Sequence, residues 1–101
     1  MNMNMQNIIR EAQKMQNELK KTQENLEKSQ YEGKSSLVEV ILNGKKEIVK
    51  LTINNKEELK NDDLEMLEDM IMIAFNDAVK KVDSDKEAKI GKYGKGLSGL
   101  L

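Results

Sequence analysis

The segment Leu64-Glu-Met-Leu-Glu-Asp-Met-Ile-Met-Ile-Ala-Phe-Asn-Asp-Ala-Val-Lys-Lys-Val82 constrains the fold most. Leu64, Leu67, Ile71, Ala74, Ala78 and Val82 step by three or four residues and so share one side of a helix. Met66, Met70 and Ile73 form a second stripe beside the first, and Phe75 widens the apolar face again. A helix this apolar needs cover on more than one side. A chain of 101 residues has a small core of its own, so pairing with a second copy is the natural way to complete that cover.

Residues 5–28 carry a different pattern. Met5, Ala12, Leu19 and Leu26 recur every seven residues, and Ile8, Met15 and Thr22 follow the first three at a spacing of three. This is a heptad seam on a helix otherwise made of Gln, Asn, Lys and Glu. About 24 residues of helix extend ~36 Å, longer than a compact domain of this size requires. The first helix is therefore expected to be an arm that pairs with another helix.

Gly33-Lys-Ser-Ser36 interrupts the helical pattern. Leu37–Leu42 and Glu47–Ile53 are rich in β-branched residues, and Asn43-Gly44 between them signals a hairpin. A two-residue loop sets Val40 opposite Glu47. A four-residue loop, Asn43 to Lys46, pairs Ile41 with Ile48, Val40 with Val49, Glu39 with Lys50 and Val38 with Leu51, and cross-strand chemistry favours it. A third strand is expected near Ser29–Gly33, contributing Tyr31. Two or three strands do not stand alone in water, so the long helix beginning near Asp63 must lie on them. Asp62 followed by Glu65 resembles a capping box. Apolar periodicity thins after Val82 to Ala88 and Ile90, so this helix is expected to project beyond its core before a glycine- and lysine-rich tail. The fold class is thus α+β in the order α-β-β-β-α, one domain over residues 1–101 with flexible ends at 1–6 and 91–101.

The chain has no Cys, His, Trp or Pro, which removes disulfides, thiolate or imidazole metal sites, and nucleophile systems built on His. Glu65 and Asp69 share a helix face near Asp62, Asp63 and Glu68, the one arrangement that evokes a Mg²⁺ site. Carboxylates at the positive end of a helix dipole explain the cluster without a metal. No enzyme activity, cofactor or metal is expected. No basic start leads into an apolar run, and no segment approaches the ~18 apolar residues of a membrane span. The expectation is a soluble cytoplasmic protein without a membrane or small-molecule partner.

Net charge is −1, yet an acidic stretch from Glu57 to Asp77 precedes the lysines Lys80, Lys81, Lys86 and Lys89. Few aromatics argue against stacking on single strands. The absence of an Arg-rich reading helix argues against sequence-specific major-groove readout.

Ala12-Gln-Lys-Met-Gln16, Gly33 with Leu37-Val-Glu-Val40 before Asn43-Gly44, and Leu67-Glu-Asp69 followed by Ala74-Phe-Asn-Asp-Ala78 and Lys80-Lys81 together resemble the YbaB/EbfC family of bacterial nucleoid-associated proteins. The likeness runs over about residues 7–90. It implies an intertwined homodimer, joined through the sheet and second helix, whose helices project as arms. It also implies low-specificity binding of double-stranded DNA in the nucleoid, with effects on gene expression. Mapped here, the DNA-binding candidates are Arg10, Lys14, Lys20 and Lys21 on the first helix, and Lys80, Lys81, Lys86 and Lys89 late in the second. The alternative is an adaptor whose heptad helix binds a protein partner without touching DNA.

Overall fold

A computed structural model describes residues 4–93. Helix α1 (Met5–Lys28) leads into strands β1 (Gln30–Lys34), β2 (Val38–Asn43) and β3 (Ile48–Ile53), and helix α2 (Leu64–Ile90) follows. The strands form one antiparallel sheet in the order β1-β2-β3. Of the ends expected to be flexible, residues 1–3 and 94–101 lie outside the described residues, Met5 and Gln6 already belong to α1, and Gly91–Tyr93 form a 3-10 turn.

Helix α1 starts where the Asn4 side chain accepts the Gln6 N–H at 2.9 Å, satisfying one of the free donors of the first turn. It stops at Ser29, which turns to extended backbone while its N–H donates to the Asn25 carbonyl at 3.1 Å. Most of α1 lies off the core. The radius of gyration is 20.1 Å and the molecule measures 75 × 19 × 15 Å, against ~13 Å for a compact chain of this length.

Strand β2 is the centre of the core. Val38, Val40 and Leu42 are fully buried on one face, under Ala74, Ala78 and Val82 of α2. Helix α2 packs on β1 and β2. Ala74 and Ala78, one turn apart, let it come so close to β1 that a Cβ on Gly33 would fall 2.0 Å from the Ala74 carbonyl oxygen. Side chains then fasten this contact along its length. The Ser35 hydroxyl donates to the Met70 carbonyl at 2.8 Å, the Lys34 N–H to Asp77 at 3.0 Å, and the Lys81 ammonium to the Glu32 carbonyl at 2.6 Å. Farther along, the Tyr31 hydroxyl donates to Asp85 at 2.5 Å.

The hairpin register differs from the expected one. Val38 pairs with Ile53, Val40 with Leu51 and Ile41 with Lys50, after which a bulge brings Leu42 opposite Ile48. The turn explains the slip. The Asn43 N–H donates to the Glu47 carbonyl, leaving a three-residue loop, and the Asn43 side-chain oxygen accepts from the Lys45 and Glu47 N–H groups. Lys46 takes the positive φ, 64°, that closes this loop. The shift beyond the bulge is two residues, which preserves the faces. Gly44 serves packing instead: a Cβ there would meet the Leu26 carbonyl oxygen at 1.9 Å, so its absence lets the turn sit on the foot of α1.

Two further expectations change at α2. Its entry is held by Asp63, not Asp62: the Asp63 carboxylate accepts the Lys60 N–H at 2.9 Å across a 3-10 turn, Asn61–Asp63. Its far end is covered, because Ile90 and Leu26 are both buried where α2, α1 and the Gly44 turn meet. The projecting arm is α1 alone.

Tyr31 shows what the lacing contributes. Burial, followed by the adjacent Asp85 carboxylate, pushes its hydroxyl up from 10.0 to about 12. The Tyr31 hydrogen bond, then that of Lys89, holds Asp85 below its ordinary value. Tyr31→Phe should cost ~1–2 kcal/mol in urea unfolding, since a hydrogen bond to a charged acceptor is lost. A raised phenol stabilises the fold fully below pH 10 and loses that contribution as pH rises toward 12. A depressed carboxyl contributes above its unfolded value and loses that contribution as pH falls through the folded one. The Phe variant should therefore show a flatter alkaline limb.

Candidate nucleic-acid interface

The cations of α1 follow from helix geometry. At 3.6 residues per turn, Arg10, Lys14, Lys21 and Lys28 fall within about 40° of one another. They stand opposite the seam of Met5, Ile8, Ala12, Met15 and Leu19. The line they make is ~27 Å long by the rise of 1.5 Å per residue. Arg10, Lys14, Asn17 and Lys21 border one shallow furrow on this face, with Glu18 at its edge. All of these side chains are exposed, and among the described residues none of the four cations forms a salt bridge. Lys20 is also exposed and unbridged but points about a quarter-turn away from the line. Lys28, at the foot of the line, is a cation that the sequence reading passed over. Its signal was present as the i+7 repeat from Lys14 through Lys21.

The four candidates on α2 do not form an equivalent surface. Lys81 reaches the Glu32 carbonyl and lies 3.7 Å from Asp77, so it is engaged in holding α2 on β1. Lys89 is bonded to Asp85 at 3.0 Å. Lys80 is exposed without a salt bridge. Lys86 is half-buried and lines a crevice of about 390 Å³ with Lys45 of the hairpin turn, Gln23 and Glu27. The neighbouring Lys46 is bound to Asp83 at 2.8 Å. Partnership with carboxylates thus divides the candidates: the α1 cations keep their charge available for an outside anion, whereas Lys81 and Lys89 spend theirs within the fold.

The acidic residues at the start of α2 are not gathered into a metal site: no group of three or more potential ligands occurs among the described residues. No helix among them is long and apolar enough to cross a membrane.

A small sheet-and-helix body carrying one long helix with an open line of cations defines a class of protein that presents a basic arm to an extended anion. Comparison with known proteins places the chain within that class. A model of the YbaB/EbfC DNA-binding family matches residues 1–97, and the chain belongs to that family. It is a family of nucleoid-associated DNA-binding proteins, not an enzyme family. A nucleoid-associated protein of Francisella philomiragia is 45% identical over 96 residues, covering 94% of this chain and 86% of that protein. One from Ligilactobacillus salivarius is 34% identical over 99 residues, covering 97% and 95%. The crystal structure of an uncharacterized protein from Helicobacter pylori superposes with a TM-score of 0.70 at 25% identity, covering 92% of this chain and all of that one.

Proposed function

We propose that this protein binds double-stranded DNA as a homodimer with low sequence specificity, through the phosphate backbone, and that it acts in nucleoid organisation and gene expression. The observation that carries the reading is the unpaired line Arg10, Lys14, Lys21 and Lys28 on a helix that projects from the core. Point charges on long side chains neutralise phosphates, and phosphate contacts position a protein without reporting base identity. Lys20 on α1, and Lys80 and Lys86 on α2, add cations near this line. Lys81 and Lys89 contribute chiefly to the fold.

Dimerisation is supported by what the single chain leaves uncovered. Strand β3 is the sheet's edge, lies outside the cover of α2, and exposes Ile48, Val49 and Leu51. Helix α2 exposes Met66, Met72 and Ile73. An edge strand with apolar side chains is a template for pairing, and uncovered apolar surface of this extent marks an interface. Val49→Lys together with Leu51→Lys should convert the dimer to monomer, read as a halved mass by light scattering.

Anisotropy of a labelled duplex of random sequence tests the DNA reading. Several phosphate contacts predict log affinity falling linearly with log salt, with a slope of several units. Absence of binding at low salt, or a flat salt dependence, would reject it. The exposed seam of α1 favours, as the second reading, an adaptor for a helical protein partner.

A further inference from the structure

Opposite its cations, α1 carries an apolar seam that the fold does not use. Met5, Ile8, Ile9 and Met15 are 67%, 43%, 50% and 51% exposed. Every described residue before Leu19 is exposed, and α1 meets the rest of the chain only from about Thr22 onward, beside Ala88, Lys89 and Ile90. We propose that this seam is a contact surface for the α1 seam of a second copy of this chain, with the two arms antiparallel. It is distinct from the surface on β3 and α2.

Three observations select that occupant. The spacing is seven residues, which a helix presents as a straight line only to another helix wound around it. The border of the seam carries Glu11 and Glu18 on one flank and Ile9, Gln16 and Gln23 on the other, while the cations stand on the far side. A phosphate-bearing or acidic lipid surface would meet carboxylates there, so the charge pattern excludes both. The third observation is steric. At Thr22–Leu26 the seam side of α1 is occupied by the protein's own core. A parallel copy would bring two cores into the same space, whereas an antiparallel arm ends before it reaches the core.

That arrangement sets Ile8 opposite Leu19 of the second copy and Ala12 opposite Met15, a small residue against a large one in successive layers. Glu11 and Glu18 of each arm come within reach of the long Lys14 side chain of the other. The line Arg10, Lys14, Lys21 and Lys28 stays on the outer side of both arms. An isologous contact at the arm and a second one at the sheet lie on different surfaces of one protomer. Together they link copies into assemblies larger than two.

Sedimentation velocity of the full chain over a range of concentrations, beside the variant Ile8→Glu with Met15→Glu, tests the proposal. Both substitutions fall at exposed positions, so the fold is retained. The wild type should form species above two copies, increasing with concentration, and the variant should stop at two. If the wild type is dimeric and the variant monomeric, the arm contact stands and the dimer through β3 fails. If both stay dimeric, or both form the same larger species, the arm contact is overturned while the sheet dimer survives. A wild type that is monomeric at every concentration overturns both.

Discussion

Replacing Gly33 with valine should abolish the folded state, seen as loss of the cooperative urea transition and of most α2 helicity in circular dichroism. A Cβ at this position would lie 2.0 Å from the Ala74 oxygen, 2.5 Å from the Ala78 nitrogen and 2.8 Å from the Ala78 Cβ. Two of these are backbone atoms of a helix, which cannot rotate away as a side chain could. Accommodation requires α2 to withdraw from β1 along its whole length. Withdrawal separates Lys34 from Asp77, Ser35 from Met70 and Tyr31 from Asp85, and it opens the cover over Val38, Val40 and Leu42. Each of those core side chains contributes ~1.5–3 kcal/mol when buried, against a total stability of ~5–15 kcal/mol for a domain. Gly91→Ala provides the contrast. Its nearest obstacle is the Glu87 carboxylate at 3.2 Å, the end of a flexible side chain, and stability should change by less than ~1 kcal/mol. A Gly33→Val protein unfolding at nearly the wild-type urea concentration would refute the close-packing account.

The elements of this fold are legible in the chain because each rests on local periodicity. The step of three and four residues from Leu64 to Val82, the heptads of residues 5–28 and the β-branched runs around Asn43-Gly44 each specify their own conformation. What was not legible depends on contacts between distant residues. The Asn-Gly pair reads as a tight turn, but Gly44 answers to the carbonyl of Leu26, and Lys46 supplies the positive φ. The register slipped by two residues because Asn43 bonds forward to Lys45 and Glu47, an option that cross-strand pairing alone does not weigh. The same limit applies to the candidate site. A lysine's charge is visible in sequence, but whether a carboxylate neutralises it is decided in space. Lys81 and Lys14 look alike in the chain; one is tied to Glu32 and Asp77 and the other stands free of salt bridges.

That distinction yields the second large effect. Arg10→Ala, Lys14→Ala and Lys21→Ala combined should weaken duplex binding by ~10³-fold at 0.1 M salt and make the salt dependence much shallower. Each phosphate neutralised contributes ~0.9 to the log–log slope, which is worth roughly tenfold in affinity at 0.1 M salt. Removing three contacts on each of two arms would lower the slope by ~5 if both arms engage, and by about half that if one does. The side chains are exposed and alanine is the best helix former, so circular dichroism and the urea midpoint should hold. Lys81→Ala should do the reverse, lowering stability through its lost bond to β1 while changing the salt slope little. The pair of variants thereby separates a cation that meets DNA from one that holds the fold. If Lys81→Ala reduced the slope as much as a single α1 substitution, the carboxylate-bound lysines would also be phosphate ligands, and α2 would have to release them from Asp77 and Asp85 when DNA arrives.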